Sequence, residues 1–241
     1  MMIATLLRIE FLKLRGTLSP LLCLLAPALV ALVALLIALR QSQLSWSPLL
    51  INTLGLWCYF VLPMTVAALA ALLAQVEHAP RAWDHLFALP IARTGVIAAK
   101  AATLLLLIGI MSILLVGLCF GLGLFVGAIL RLPITAGAFP WQDALGMAAI
   151  AWAASGLMAI VQLWVALRFR SFVVPIALGL AGTFVVVASM GAPEMIILPW
   201  AMPLGTLNMP GSNPHVALLA GCLGGFLLIP LMANHLAHRD F

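Results

Sequence analysis

Between Arg40 and Glu77 no residue is charged, and apolar runs of this kind recur along the whole chain. About 20 mainly apolar residues suffice for a helix to cross the hydrocarbon of a bilayer. Six segments qualify: Pro20 to Leu39, Leu49 to Ala74, Ala101 to Leu130, Ala144 to Leu167, Phe172 to Met190 and His215 to Asn234. With 7% charged residues and a mean hydropathy of +1.26, the chain is no water-soluble domain, in which roughly a quarter of residues are charged. Backbone in lipid must satisfy its own hydrogen bonds, which leaves helices or a closed barrel. The runs are continuous rather than alternating with period two, so the barrel is excluded. The expected fold is an all-α, polytopic membrane protein with six transmembrane helices, a single domain over residues 1–241.

Basic residues set the orientation. With the N-terminus in the cytoplasm, Arg8, Lys13, Arg15, Arg81, Arg93, Lys100, Arg168, Arg170 and Arg239 lie inside, and only Arg40 and Arg131 of the 11 Lys and Arg residues lie outside. This bias places both termini in the cytoplasm. The net charge of +5 is accounted for by anionic lipid headgroups and requires no nucleic acid. The first run is too long for a secretory signal and ends in Arg40-Gln41-Ser42 with no small-residue cleavage pattern, so it is expected to remain in the protein. Cys23, Cys58, Cys119 and Cys222 fall within the runs, without the spacing of a disulfide or metal framework.

Three segments depart from the apolar pattern. In residues 1–15, Ile3, Leu7, Phe11 and Leu14 form one helical stripe, with Arg8 and Arg15 on one flank and Lys13 on the other. Such a helix either lies in the cytoplasmic membrane interface or simply extends the first span. In Trp83 to Arg93, WDHLFALPIAR, a helix of about two turns is bracketed by Pro80 and Leu89-Pro90. Trp83, Leu86 and Phe87 share one face of it, and Arg81, Asp84 and His85 point elsewhere. That face either docks into a partner's groove or floats at the membrane interface. Residues 191–214 carry Pro193, Pro199, Pro203, Pro210 and Pro214 in an apolar setting. They form either a re-entrant or interfacial outer segment with Trp200 at headgroup level, or a loop packed on the outer mouth. The G-x-x-x-G pairs Gly117–Gly121, Gly123–Gly127 and Gly221–Gly225 let helices approach closely, within the chain's own bundle or at a dimer face.

The interiors of the runs lack Asp, Glu, Lys and Arg. This disfavours carriers and proton relays, which place ionisable groups at membrane depth. Neither an H-E-x-x-H helix nor paired intramembrane carboxylates are present, so no catalytic residue is assigned. His235 and His238 lack a third ligand and read as part of a solvated tail, so no metal site is assigned. Lys13 and Lys100 are followed by Leu and Ala, so the chain has no P-loop and binds no cofactor of its own by that route. Energy supplied by ATP would have to enter through a separate ATPase. A membrane enzyme or assembly factor working without an ATPase, and a passive channel, are the competing classes.

The sequence Arg8 to Arg15, R-I-E-F-L-K-L-R, stands ahead of the first run. Glu77, Trp83, Leu86-x-x-Leu89-Pro90-Ile91-Ala92-Arg93 and Lys100 follow the second. In these residues and in its layout the chain resembles the permease subunits of ABC-2 type ABC transporters. The resemblance implies an amphipathic connecting helix carrying Arg8, Glu10, Lys13 and Arg15. It also implies a coupling helix at residues 80–89, with Glu77, Arg81, Trp83, Asp84, His85, Leu86, Phe87, Leu89, Pro90 and Arg93 engaging an ABC ATPase. It implies two ATPases holding ATP and Mg, a second permease copy or a sister permease, and residence in a bacterial plasma (inner) membrane. Asn52, Thr53 and Thr183 would then lie near the export path. A chain of this size without an added soluble domain is similar to the permeases of lantibiotic and bacitracin self-protection systems, which implies a hydrophobic or amphiphilic cargo such as an antimicrobial peptide. Permeases for polysaccharide, lipid, haem or drug export share the layout.

Overall fold

The uncharged run after Arg40 folds, in the computed structural model of the chain, into a 33-residue helix, Trp46–His78. The structure describes residues 2–78, 92–129, 137–189, 197–207 and 213–238. The long helix is built from α3 (Trp46–Leu56), a π-helical turn (Trp57–Val61) and α4 (Leu62–His78). The turn sits where it does because Pro63 has no N–H to give Tyr59, and its ring would crowd that carbonyl. Widening the helix by one residue, with the Leu62 N–H donating to the Trp57 carbonyl, absorbs the defect without breaking the rod.

The remaining elements are α1 (Met2–Leu14), α2 (Ser19–Ala38), α5 (Arg93–Ala128), α6 (Trp141–Ala154), α7 (Gly156–Arg168), α8 (Val173–Ala188), a single turn α9 (Met202–Gly205) and α10 (Pro214–Ala237). All regular elements among the described residues are helical. Four helices are long and apolar enough to span a bilayer: α2, α3–α4, α5 and α10. A fifth results if α6 and α7, bent by 43° at Ser155, are taken as one span. The expected segment Phe172 to Met190 corresponds to the 16-residue α8, roughly 24 Å long and shorter than a straight crossing requires. The third expected run begins earlier than its apolar residues, because α5 starts at Arg93 and is 36 residues long.

The bundle is apolar outside as well as in its core. On α2, Leu21, Leu24, Leu25, Leu29, Leu32 and Leu36 are exposed, and on α10 so are Leu219, Leu223, Phe226 and Leu227. Apolar exposure of this kind suits lipid, in which close helix packing replaces the hydrophobic effect as the cohesive force. The closest approach joins α10 to the α6–α7 bend. A Cβ on Gly221 would overlap the Ala154 carbonyl, and one on Gly225 would come within 2.6 Å of the Gly156 carbonyl carbon. Gly123 receives the ring of Trp46, whereas Gly117 and Gly121 face open space. The Gly221–Gly225 pair and Gly123 therefore serve packing within the chain, and the Gly117–Gly121 pair does not.

The two ends of the bundle differ. At one, Trp46, Phe120, Phe139 and Trp141 stack edge to face, with ring centroids 4.7 to 5.2 Å apart for Phe139–Trp141, Phe120–Trp141, Trp46–Phe139 and Phe120–Phe139. Residues 200–207 lie buried against α6, α10 and the π turn, with the Trp200 ring laid over Gly182 of α8. The other end holds α1 and most of the described charged residues.

Candidate functional site

Helix α1 does not present the stripe that its apolar periodicity predicts. Its buried face is Leu6, Glu10 and Leu14, with Leu7, Phe11 and Lys13 half-buried at the edges and Ile9 and Leu12 exposed. The helix is rotated from the expected orientation because an acid, rather than another leucine, has a partner beneath it. Leu6 packs on Gly95 of α5. The Thr17 hydroxyl, donating to the Leu14 carbonyl at 2.9 Å and accepting from the Ser19 N–H at 3.2 Å, ties the end of α1 to α2.

Under α1, α4 and α5 run antiparallel, so Glu77 near the end of one meets Lys100, two turns into the other. Four charges close into a ring. Lys13 Nζ lies 2.7 Å from Glu10 Oε1 and 2.9 Å from Glu77 Oε1, and Lys100 Nζ lies 2.8 Å from Glu10 Oε2 and 2.6 Å from Glu77 Oε2. Each carboxylate gives one oxygen to each lysine, and Lys100 also donates to the Leu73 carbonyl at 3.3 Å. The Lys100 side chain is wholly buried and the two glutamates nearly so, while that of Lys13 is 26% exposed. Charges taken this far from water persist only when paired; the closed ring pairs all four, and three of its contacts, Lys13–Glu10, Lys13–Glu77 and Lys100–Glu10, are hydrogen bonds.

Burial by itself would raise the pKa of Glu10, but the Lys100 and Lys13 ammonium groups outweigh it and hold the carboxyl below its ordinary value. Burial would likewise lower Lys13, and Glu10 and Glu77 outweigh it and raise the ammonium above its ordinary value. A lowered acid stabilises the fold above its unfolded pKa near 4.5, and that contribution is lost as pH falls through the folded value. A raised base stabilises below its unfolded pKa near 10.5, and the contribution is lost as pH rises through the folded value. Melting temperature against pH is therefore expected to show a plateau falling below about 4.5 and above about 10.5. Glu10→Gln/Lys13→Gln should flatten both flanks, and unchanged flanks would remove the ring as their source.

The same end is stitched further. Gln75 Nε2 donates to the Arg170 carbonyl at 3.0 Å, His78 Nε2 lies 3.3 Å from the Ala166 carbonyl, and Arg93 donates to the Ala237 carbonyl at 3.1 Å. Trp164 donates to His235 Nδ1 at 3.1 Å, and His238 Nδ1 sits 2.8 Å from the Asn234 carbonyl. These contacts join the ends of α4, α5, α7 and α10 around the ring.

The structure thus brings together Glu10, Lys13 and Glu77 from the expected set, with Arg93 nearby on α5; Arg8 and Arg15 are exposed on α1. Arg81, Trp83, Asp84, His85, Leu86, Phe87, Leu89 and Pro90 lie outside the described residues, and the segment they belong to begins two residues after Glu77. Lys100, which the sequence counts among the cytoplasmic-side charges and the residues of the family resemblance but gives no site role, is the ring's most buried member. A signal for it existed: the chain has only 6 acidic residues, and Glu10 sits among leucines on a helix face. Asn52 and Thr53 line one crevice between α2 and α3 with Gln41, while Thr183 is buried on α8 and does not line it. The Thr53 and Thr183 hydroxyls donate to the carbonyls of Leu49 and Gly179, each one turn back. An open apolar groove runs between α2 and the π turn with α4, walled by Leu25, Leu29, Leu32, Phe60 and Met64.

Residues 6–186, which hold the whole ring and everything from α1 into α8, match the family model described as ABC-2 family transporter protein. No curated protein matches the chain at a significant level.

Proposed function

The chain belongs to the ABC-2 family of transporter proteins, a membrane component that partners with an ABC ATPase, and from that premise we propose that it is the permease of an exporter driven through the charged end of its bundle. The observation that carries the proposal is the ring. It fastens α1, the end of α4 and the start of α5 into one unit, and Glu77 stands two residues before the segment carrying Trp83 and Leu86. A push delivered by an ATPase to residues 80–89 would act on the ends of α4 and α5 together, because Glu77 and Lys100 tie those ends to each other.

On this reading the ring end faces the cytoplasm, both termini lie there, and α8 completes a sixth crossing of a bacterial inner membrane. Nine of the 11 Lys and Arg residues support that orientation. Residues 197–207 lie on the outer side. Two copies, or one copy and a sister permease, flank the path and engage two ATPases that bind ATP and Mg. The cargo is hydrophobic or amphiphilic, an antimicrobial peptide being one such molecule, because the described span interiors offer apolar walls and uncharged polar groups such as Asn52 and Thr53.

Affinity purification of this chain from its native membrane is expected to recover a P-loop ATPase. Trp83→Ala/Leu86→Ala should lower transport-coupled ATP hydrolysis by about tenfold or more, as loss of an aromatic anchor does. If assembly and coupled hydrolysis are unchanged in that variant, residues 80–89 are not the docking element.

A further inference from the structure

The ring divides into two halves that are each neutral alone. Glu10 and Lys13 pair within α1 at 2.7 Å, and Glu77 and Lys100 pair between α4 and α5 at 2.6 Å. Of the ring's four ion pairs, the Lys100–Glu10 and Lys13–Glu77 contacts, at 2.8 and 2.9 Å, cross from α1 to the bundle. We propose that α1 is a latch that lifts from the α4–α5 base as an electrically neutral unit, opening both cross-contacts together while each half keeps its own ion pair.

The distribution of charge is what permits this. Had both acids been on α1 and both lysines beneath it, lifting would strand two ammonium groups in a dry interior, at a prohibitive cost in solvation. As built, the departing face carries one acid and one base, and so does the face left behind, where Lys100 also keeps the Leu73 carbonyl. Lys13 is the member already reached by solvent, so water enters at its cross-contact first. Beyond the ring, Leu6 and Leu14 are the buried apolar side chains of α1, with Leu7 and Phe11 half-buried at its edges. A pivot is available at Gly16, beyond the end of the helix, where an added Cβ would meet nothing within 4 Å. Two discrete arrangements separated by small contacts are the ordinary material of a conformational switch. The latch deepens the coupling reading, since lifting α1 withdraws Lys13 from Glu77 beside the ATPase-facing segment. Its test, however, needs only this chain.

The test uses full-length protein in lipid nanodiscs with Cys23, Cys58, Cys119 and Cys222 replaced by Ala. Leu6→Cys reports α1 lifting and Ala101→Cys, fully buried on α5, reports global opening. Adding Glu10→Gln/Lys13→Gln is expected to raise the rate at which a water-soluble maleimide labels Leu6→Cys by about tenfold, with labelling of Ala101→Cys unchanged. No acceleration at Leu6→Cys, or equal acceleration at both positions, overturns the latch. Melting temperature supplies an independent arm: Glu10→Gln alone, which leaves a net charge in the ring, should melt below Glu10→Gln/Lys13→Gln, which does not. A double variant that melts at or below the single one also overturns it. Because no ATPase is present, failure here leaves the exporter reading standing, and failure of ATPase recovery leaves the latch standing.

Discussion

Lys100→Met is expected to deplete the folded protein severely. Methionine matches much of the lysine stem in length and volume, so the substitution deletes the ammonium while largely sparing the packing on α5. Glu10 and Glu77 then share one remaining cation, Lys13, and a net negative charge stays in a site where both carboxylates are almost fully buried. Removing one partner of a buried ion pair costs about 3–5 kcal/mol, a large part of a stability that is typically about 5–15 kcal/mol. Lys13→Met should cost less, because water reaches that corner of the ring and screens the imbalance. Thermal melting in detergent, followed by size-exclusion of the monodisperse fraction, orders the two variants. Lys100→Met melting alongside the unmodified protein would show that the ring is not the fastening that its geometry implies.

Gly221→Ala is expected to be the most damaging single methyl addition among the glycines. Its Cβ would be driven into the Ala154 carbonyl, a backbone atom at the α6–α7 bend that has no rotamer by which to retreat. Overpacking of this kind costs about 1–3 kcal/mol, and the better helix propensity of Ala recovers up to about 1 kcal/mol. Because a backbone atom must move, the cost sits at the upper end of that range, and the net is a loss of roughly 2 kcal/mol. Gly225→Ala meets the backbone of Gly156 and Leu157 and should behave alike. Gly121→Ala meets nothing within 4 Å, so in the solubilised monomer it should melt at or slightly above the parent. Equal melting of Gly221→Ala and Gly121→Ala would mean that α10 and the bend do not approach as closely as described.

The contrast between those glycines marks the limit of pattern reading. Gly117–Gly121 and Gly221–Gly225 are the same motif in sequence, but only the second faces another backbone. Which face of a helix meets a neighbour depends on the neighbour. The same holds at α1, where apolar spacing selected Ile3, Leu7, Phe11 and Leu14, whereas the buried face is Leu6, Glu10 and Leu14, so that of the expected stripe Leu14 is buried and Leu7 and Phe11 are half-buried. Glu10 could be placed inward only by knowing that Lys100, 90 residues away, waits beneath it. The break at Ser155 left no strong signal either, since Ala-Ser-Gly interrupts neither the apolar run nor the helix propensity enough to announce a 43° bend.

What the amino-acid order decided alone was the solvent and the class. Long uncharged runs can satisfy their backbones in lipid only as helices, and the few charges left over had to collect at helix ends. What required the tertiary structure was the pairing of those charges. Ion pairs between positions 10, 13, 77 and 100 exist because antiparallel α4 and α5 and a docked α1 bring four side chains within 3 Å of their partners. Electrostatic energy in a dry site depends on that distance and on burial, and neither is encoded in the spacing of residues along the chain.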